Sequence, residues 1–192
     1  MKNKKAAAFL LTAAVGMGAL ALPAAVPKEA GVFTAVTAYA AAPSASKLAS
    51  AVKKAYGDNY WPDYKLDKDE IKSKYGVDAS LYASAYAQVP MISAHVDQLV
   101  IFKAKNSSSK KKILSAVKKY QKDLKEDTMQ YPMNLLKIQG SKVYTNGKYV
   151  CFFMLGGDIS KNIEENGSEA EIIKAYQKLN QKAVNAVKNA LK

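Results

Sequence analysis

His95 is the only histidine of the chain, and it alternates with Ser93 and Asp97. On a regular strand these three side chains share one face. Serine, histidine and aspartate are the parts of a nucleophilic triad, whose members need contacts of about 2.6–3.2 Å. Same-face neighbours on a strand lie about 6.5–7 Å apart at the backbone. The spacing therefore argues against a triad and for a structural histidine, compatible with a local bond to Asp97. Cys151, the only cysteine, is the other nucleophile that could pair with His95. It sits within the apolar run Tyr149–Leu155, where a thiol behaves as a small hydrophobe with a raised pKa. A hydrolase built on His95 with Asp97 or Cys151 is the least favoured reading.

Metal chemistry has no foothold in the spacing. One His, one Cys and scattered carboxylates form neither H-x-x-x-H, C-x-x-C nor an oxygen-rich calcium loop. The acids Asp67, Asp69 and Glu70, and Glu169 and Glu171, stand where helices begin, and the helix dipole accounts for them. No paired carboxylates in an apolar setting suggest a glycosidase, and no phosphate loop, nucleophile elbow or dinucleotide fingerprint occurs. No cofactor is expected. What remains is aromatic: Tyr56, Tyr60, Trp61 and Tyr64 crowd nine residues, and Met129, Tyr131 and Met133 form a second loop. Such loops either anchor onto a core or stack on sugars and peptides. The candidate ligand-binding residues are thus Tyr60, Trp61, His95, Asp97 and Tyr131.

The elements that position them follow from periodicity. Leu48, Val52, Ala55 and Tyr56 repeat at helical spacing over about 46–56, with Gly57 as the stop. Asp67-x-x-Glu70 opens a short helix that Gly76 closes. Residues 83–89 and 96–104 read as strands, the second alternating Val96, Gln98, Val100, Phe102 against Asp97, Leu99, Ile101, Lys103. Asn106 and the serines after it cap a long helix with an Ile113, Val117, Tyr120, Leu124 stripe. Residues 126–140 read as irregular or partly helical. Asn146-Gly147 marks a hairpin whose second arm, apolar on both faces, belongs mid-sheet. Ser168-x-x-Glu171 opens the last helix. The expected fold is α+β: one mainly antiparallel sheet of about four strands packed against helices, preceded by a signal peptide.

That signal peptide is read at residues 1–40. Lys2, Lys4 and Lys5 precede an apolar run from Ala6 to Leu22, and Ala38-Tyr39-Ala40 fits a cleavage site. The run is short of the roughly 20 residues of a membrane span; cleavage nearer Ala25 or an uncleaved anchor is the alternative. No cysteine lies nearby, so a lipoprotein anchor is excluded. A polar leader at 41–46 and a single domain at 47–192 would remain, secreted or held at the cell envelope. With one cysteine, that domain depends on its core rather than on an internal disulfide, which suggests a single-membrane bacterium. Every one of the 29 basic residues is Lys, and the net charge is +13. Removal of residues 1–40 takes four lysines and one acid and leaves +10. Without arginine there are no bidentate clamps, only point charges suited to diffuse attraction. Anionic cell-wall polymer or lipid headgroups are the expected partners through the Lys surface. Nucleic acid is not, because the export signal opposes it and no recognition motif occurs.

The strings Ala55-Tyr56-Gly57-Asp58-Asn59-Tyr60-Trp61-Pro62, Pro90-Met91-Ile92-Ser93-Ala94-His95-Val96-Asp97 and Asp127-Thr128-Met129-Gln130-Tyr131-Pro132-Met133, with Gly147-Lys148-Tyr149-Val150, carry a resemblance. They resemble an uncharacterised domain-of-unknown-function family, DUF4358, over about residues 46–158. The resemblance implies an exported α+β domain of clostridia-like Gram-positive bacteria. Some members carry a lipobox cysteine, from which this chain departs. It implies no activity and transfers no functional residues. Two functions follow from the residues themselves: a non-catalytic envelope-associated protein, or an extracytoplasmic binding protein using the Trp61 and Tyr131 loops around His95.

Overall fold

The strands β3 (Gln98–Ala104) and β5 (Tyr149–Met154) form the middle of the sheet because both faces of each are apolar. A computed structural model describes residues 42–192 except Ser93 and Asp158, and omits the side chains of residues 161, 162 and 164. The signal-peptide assignment lies outside the described residues, as does Ser93 of the triad pattern. Around the two central strands stand β1 (Tyr64–Lys65), β2 (Tyr82–Val89) and β4 (Lys142–Asn146). The order is β1-β2-β3-β5-β4, with every neighbouring pair antiparallel. Among the described residues the sheet has five strands rather than about four. The fifth is the two-residue β1, too short to leave an alternating pattern inside the aromatic loop.

Alternation along the central strands sorts the core into two layers. Leu99 pairs with Phe153 and Ile101 with Cys151, and these four pack with α1 (Ala45–Tyr56) and α6 (Glu169–Ala190), the latter preceded by the short α5 (Lys161–Asn166). Val100 pairs with Phe152 and Phe102 with Val150, facing the other way. They meet Ile71 and Tyr75 of α2 (Lys68–Tyr75), Ile113 and Val117 of α3 (Ser107–Glu126), and Ile138 of α4 (Pro132–Gln139). Helices thus cover both faces, which is why β5 is buried along its whole length.

The caps appear where the residues demand them. Asp67 and Ser168 each close a reciprocal capping box, Asn106 accepts from the Ser109 N–H, and Gly76 ends α2 at φ 67°. One reading is sharpened and another is corrected. Residues 132–139 are a regular helix, because Pro132 occupies its first turn, where a missing N–H costs nothing. The hairpin turn is Gly147-Lys148, since Asn146 still pairs with Tyr149; Gly147 takes the positive φ of 50° that the turn requires. The first helix begins at Ala45, which is buried, so the leader ends at Ser44. Its carbonyls are pinned at the far end of β3: the Lys103 ammonium donates to Ala42 O, and the Tyr149 hydroxyl to Pro43 O at 2.5 Å. Among the described residues no helix is long and apolar enough to cross a membrane.

Candidate binding site

The near end of β3 gathers segments far apart in sequence. Asp63 ties the aromatic loop to the 90–95 loop, its N–H donating to Val89 O at 3.1 Å and its Oδ1 accepting from the Met91 N–H at 2.7 Å. Asn134, buried in α4, donates from its side chain to Ala94 O at 2.9 Å. Its backbone N–H donates to Tyr131 O at 2.8 Å. Asp127 accepts from the Met129 N–H and the Gln130 side chain, which shapes the turn before α4. The consequence is an unusual rim: Met91 (73% exposed), Ile92, Met129 (90%), Tyr131 (55%), Met133 (75%) and Leu135 all reach solvent at this pole.

Beneath the rim lies a buried ion pair. Lys137 Nζ donates to Asp97 Oδ2 at 2.5 Å, with side-chain exposures of 6% and 0%. The ammonium stands 5.4 Å from the Trp61 ring centre and 5.5 Å from that of Tyr176, a cation–π arrangement on both. Gly157 O lies 3.4 Å from it. Burial pushes the Asp97 carboxyl above its ordinary value. The Lys137 charge and hydrogen bond, the His95 ring and the Gly156 N–H oppose that rise without cancelling it. Among the described residues, Asp97 Oδ1 is the one buried side-chain polar atom without a hydrogen-bond partner.

Trp61, His95 and Asp97 are therefore brought together; Tyr131 is tied to this end through its backbone carbonyl, which accepts from Asn134, while its exposed side chain lines neither hollow described below. Trp61 is clamped rather than presented as a stacking platform. His95 meets it edge-on with centroids 4.7 Å apart, and a Cβ added at Gly157 would fall 2.6 Å from its ring. Tyr60 goes elsewhere. Its hydroxyl donates to Gln88 Oε1 at 3.0 Å, together with Tyr86 at 2.6 Å and Lys53 at 3.2 Å. No bond joins His95 to Asp97, whose bonded oxygen belongs to Lys137. Cys151 is wholly buried against α1 and α6, and burial pushes its thiol far up, so it does not meet the exposed His95. No group of three or more His, Cys, Asp or Glu side chains among the described residues is placed to hold a metal ion.

Two hollows share Pro90 and His95: one of about 290 Å³ beside Trp61, and one of about 270 Å³ bordered by Asp97, itself fully buried. Larger hollows of about 710 and 530 Å³ run along the outer side of α6 and touch none of the predicted residues. The smaller pair is the one lined by Trp61, His95 and Asp97. A family model described as Domain of unknown function (DUF4358) matches residues 55–155, more than half of the chain. The chain belongs to that family. The DUF4358 match takes in Trp61, His95, Asp97, Tyr131 and Lys137 and stops just before Gly156. It leaves out α6 and most of α1, the two helices on one face of the sheet. Neither a curated protein nor a solved structure matches the chain.

Lys137, Asn134 and Gly157 are the site residues that the sequence reading passes over. Lys137 did leave one signal, as a lone charge between Leu136 and Ile138.

Proposed function

We propose that this DUF4358 domain is an exported, non-catalytic binding protein of the bacterial cell envelope, with its recognition surface at the pole around Asp97. The observation that carries the reading is Asp97 itself: a fully buried carboxylate with one oxygen unpartnered, under a rim of exposed methionine and tyrosine. Buried polar atoms are nearly always satisfied, so an open one marks a place for a ligand's donor. Exposed methionines suit that role because their flexible thioether chains adapt to the surface they meet. Lysines supply the longer-range part. Lys111, Lys118 and Lys122 line the solvent side of α3, and together with the net charge they favour approach to anionic wall polymer or lipid headgroups.

Cosedimentation of the full chain with isolated cell envelopes tests this. Binding is expected at low ionic strength and should weaken steeply as salt shortens the reach of exposed charges to about 8–10 Å. The variant Lys111→Glu/Lys118→Glu should bind less at every salt concentration. A chain that stays in the supernatant at low salt would remove the envelope from the proposal.

A further inference from the structure

The cleft of about 270 Å³ at Asp97 holds two charges that do not meet each other. One is Asp97, whose Oδ1 is buried and unpartnered. The other is Lys74, at the end of α2, which lines the same cleft. Its ammonium has no carboxylate partner among the described residues and stands 5.9 Å from the Tyr120 ring centre. Its side chain is exposed overall, while partial desolvation of the ammonium lowers its pKa with no nearby carboxylate to offset it. Gln98 and Tyr120 cannot serve as that offset. The Gln98 side chain exchanges bonds of 2.8 and 3.0 Å with the Tyr120 hydroxyl and accepts from Tyr75 at 2.8 Å. Those groups wall the cleft and are already occupied.

We infer that this cleft binds a small zwitterion, its ammonium donating to Asp97 Oδ1 and its carboxylate accepting from Lys74. A free α-amino acid and a short peptide share that chemistry. The size agrees: the volume lies below the roughly 300–1,000 Å³ of sites for drug-sized molecules. The existing pair selects the donor. Because Lys137 already takes Oδ2, the incoming group needs only to satisfy one oxygen, and a ligand without an N–H has nothing to offer it. Val89, Pro90 and Val96 give the same cleft an apolar wall for a small side chain. This inference rests on the binding-protein reading of the pole but not on attachment to the envelope, so either can fall without the other.

Calorimetric titration of the full chain decides it, with alanine, alanylalanine, N-acetylalanine, alaninamide and glycine betaine as probes. Saturable binding is expected for alanine or alanylalanine, and which of them binds reports the spacing of the two charges. Blocking the ammonium, blocking the carboxylate, or replacing the N–H groups with methyls should each weaken binding by about tenfold or more. Asp97→Asn tests the donor site directly, but it leaves Lys137 without its charge partner and risks unfolding. Lys74→Gln avoids that risk, because Lys74 is exposed; it should weaken the zwitterions about tenfold while the melting temperature holds. The inference is overturned if neither zwitterion gives saturable heat up to about 10 mM. It is equally overturned if the blocked probes bind as well as alanine, or if Lys74→Gln binds unchanged.

Discussion

Two polar clusters sit on the same sheet and are built in opposite ways. At Gln88 a single amide oxygen accepts from Tyr60, Tyr86 and Lys53, and the cluster closes on itself without burying a carboxylate. At Asp97 two full charges are buried, one oxygen is bonded, and the other is left open. The first arrangement fixes α1 and the aromatic loop against β2. The second is costly unless something completes it, because desolvating a charge is offset only when its remaining valences are filled. The difference separates a polar cluster that closes on itself from one that leaves a buried oxygen open.

The sharpest way to break this comparison is to strip one partner from the buried pair. Lys137→Met should cost about 3–5 kcal/mol in urea unfolding, because it leaves an unpaired buried carboxylate. Asp97→Leu/Lys137→Met should recover most of that loss. A single-variant cost below about 1 kcal/mol would place the pair among ordinary surface bridges. Gly157→Ala comes next. Its new methyl meets the Trp61 ring, so a loss of about 1–3 kcal/mol is expected, with a shift in the emission of the only tryptophan. Gln88→Leu removes three bonds, yet Tyr60, Tyr86 and Lys53 are half-exposed and can turn to water; about 1 kcal/mol is expected. Met133→Ala, on the open rim, should leave stability within about 0.5 kcal/mol while altering any ligand contact at the pole.

The smallest effect is a titration. Burial lifts the folded Asp97 carboxyl above 3.8, so the folded state holds this proton to a higher pH than the unfolded chain does. Stability from this group is therefore greatest below 3.8 and falls as pH rises through the folded midpoint. The half-buried Asp127 and the exposed Glu171 run the other way, because backbone N–H bonds lower them and acid removes their contribution. A carbon-detected NMR titration should find Asp97 above the other aspartates; a midpoint at or below 3.8 would contradict its desolvation.

The sheet and helices were legible wherever one residue type has one structural use. Asp67 with Glu70, and Ser168 with Glu171, announced helix starts; the two-faced apolarity of β5 announced a central strand. The turn was misplaced by one residue because Asn146-Gly147 and Gly147-Lys148 both offer glycine a positive φ, and only the pairing partner decides between them. The site was legible in part. Trp61, His95 and Asp97 stood out as rare or clustered types, and the fold does collect them. Tyr60, next to Trp61 in the chain, turns away because Gln88 provides a better partner for its hydroxyl. Lys137 was hidden by a sound rule: lysine is almost never buried unless paired, and its partner lies 40 residues earlier.

The pinning of Ala42 and Pro43 beside Lys103 and Tyr149 gives the molecule a front and a back. The chain enters the domain roughly 20 Å, about one strand's length, from the cleft. Any bead, dye or sensor surface coupled through that entry point would stand behind the protein and leave the methionine rim unobstructed. A tether in the cell at the same point would likewise turn the rim outward, away from whatever holds it.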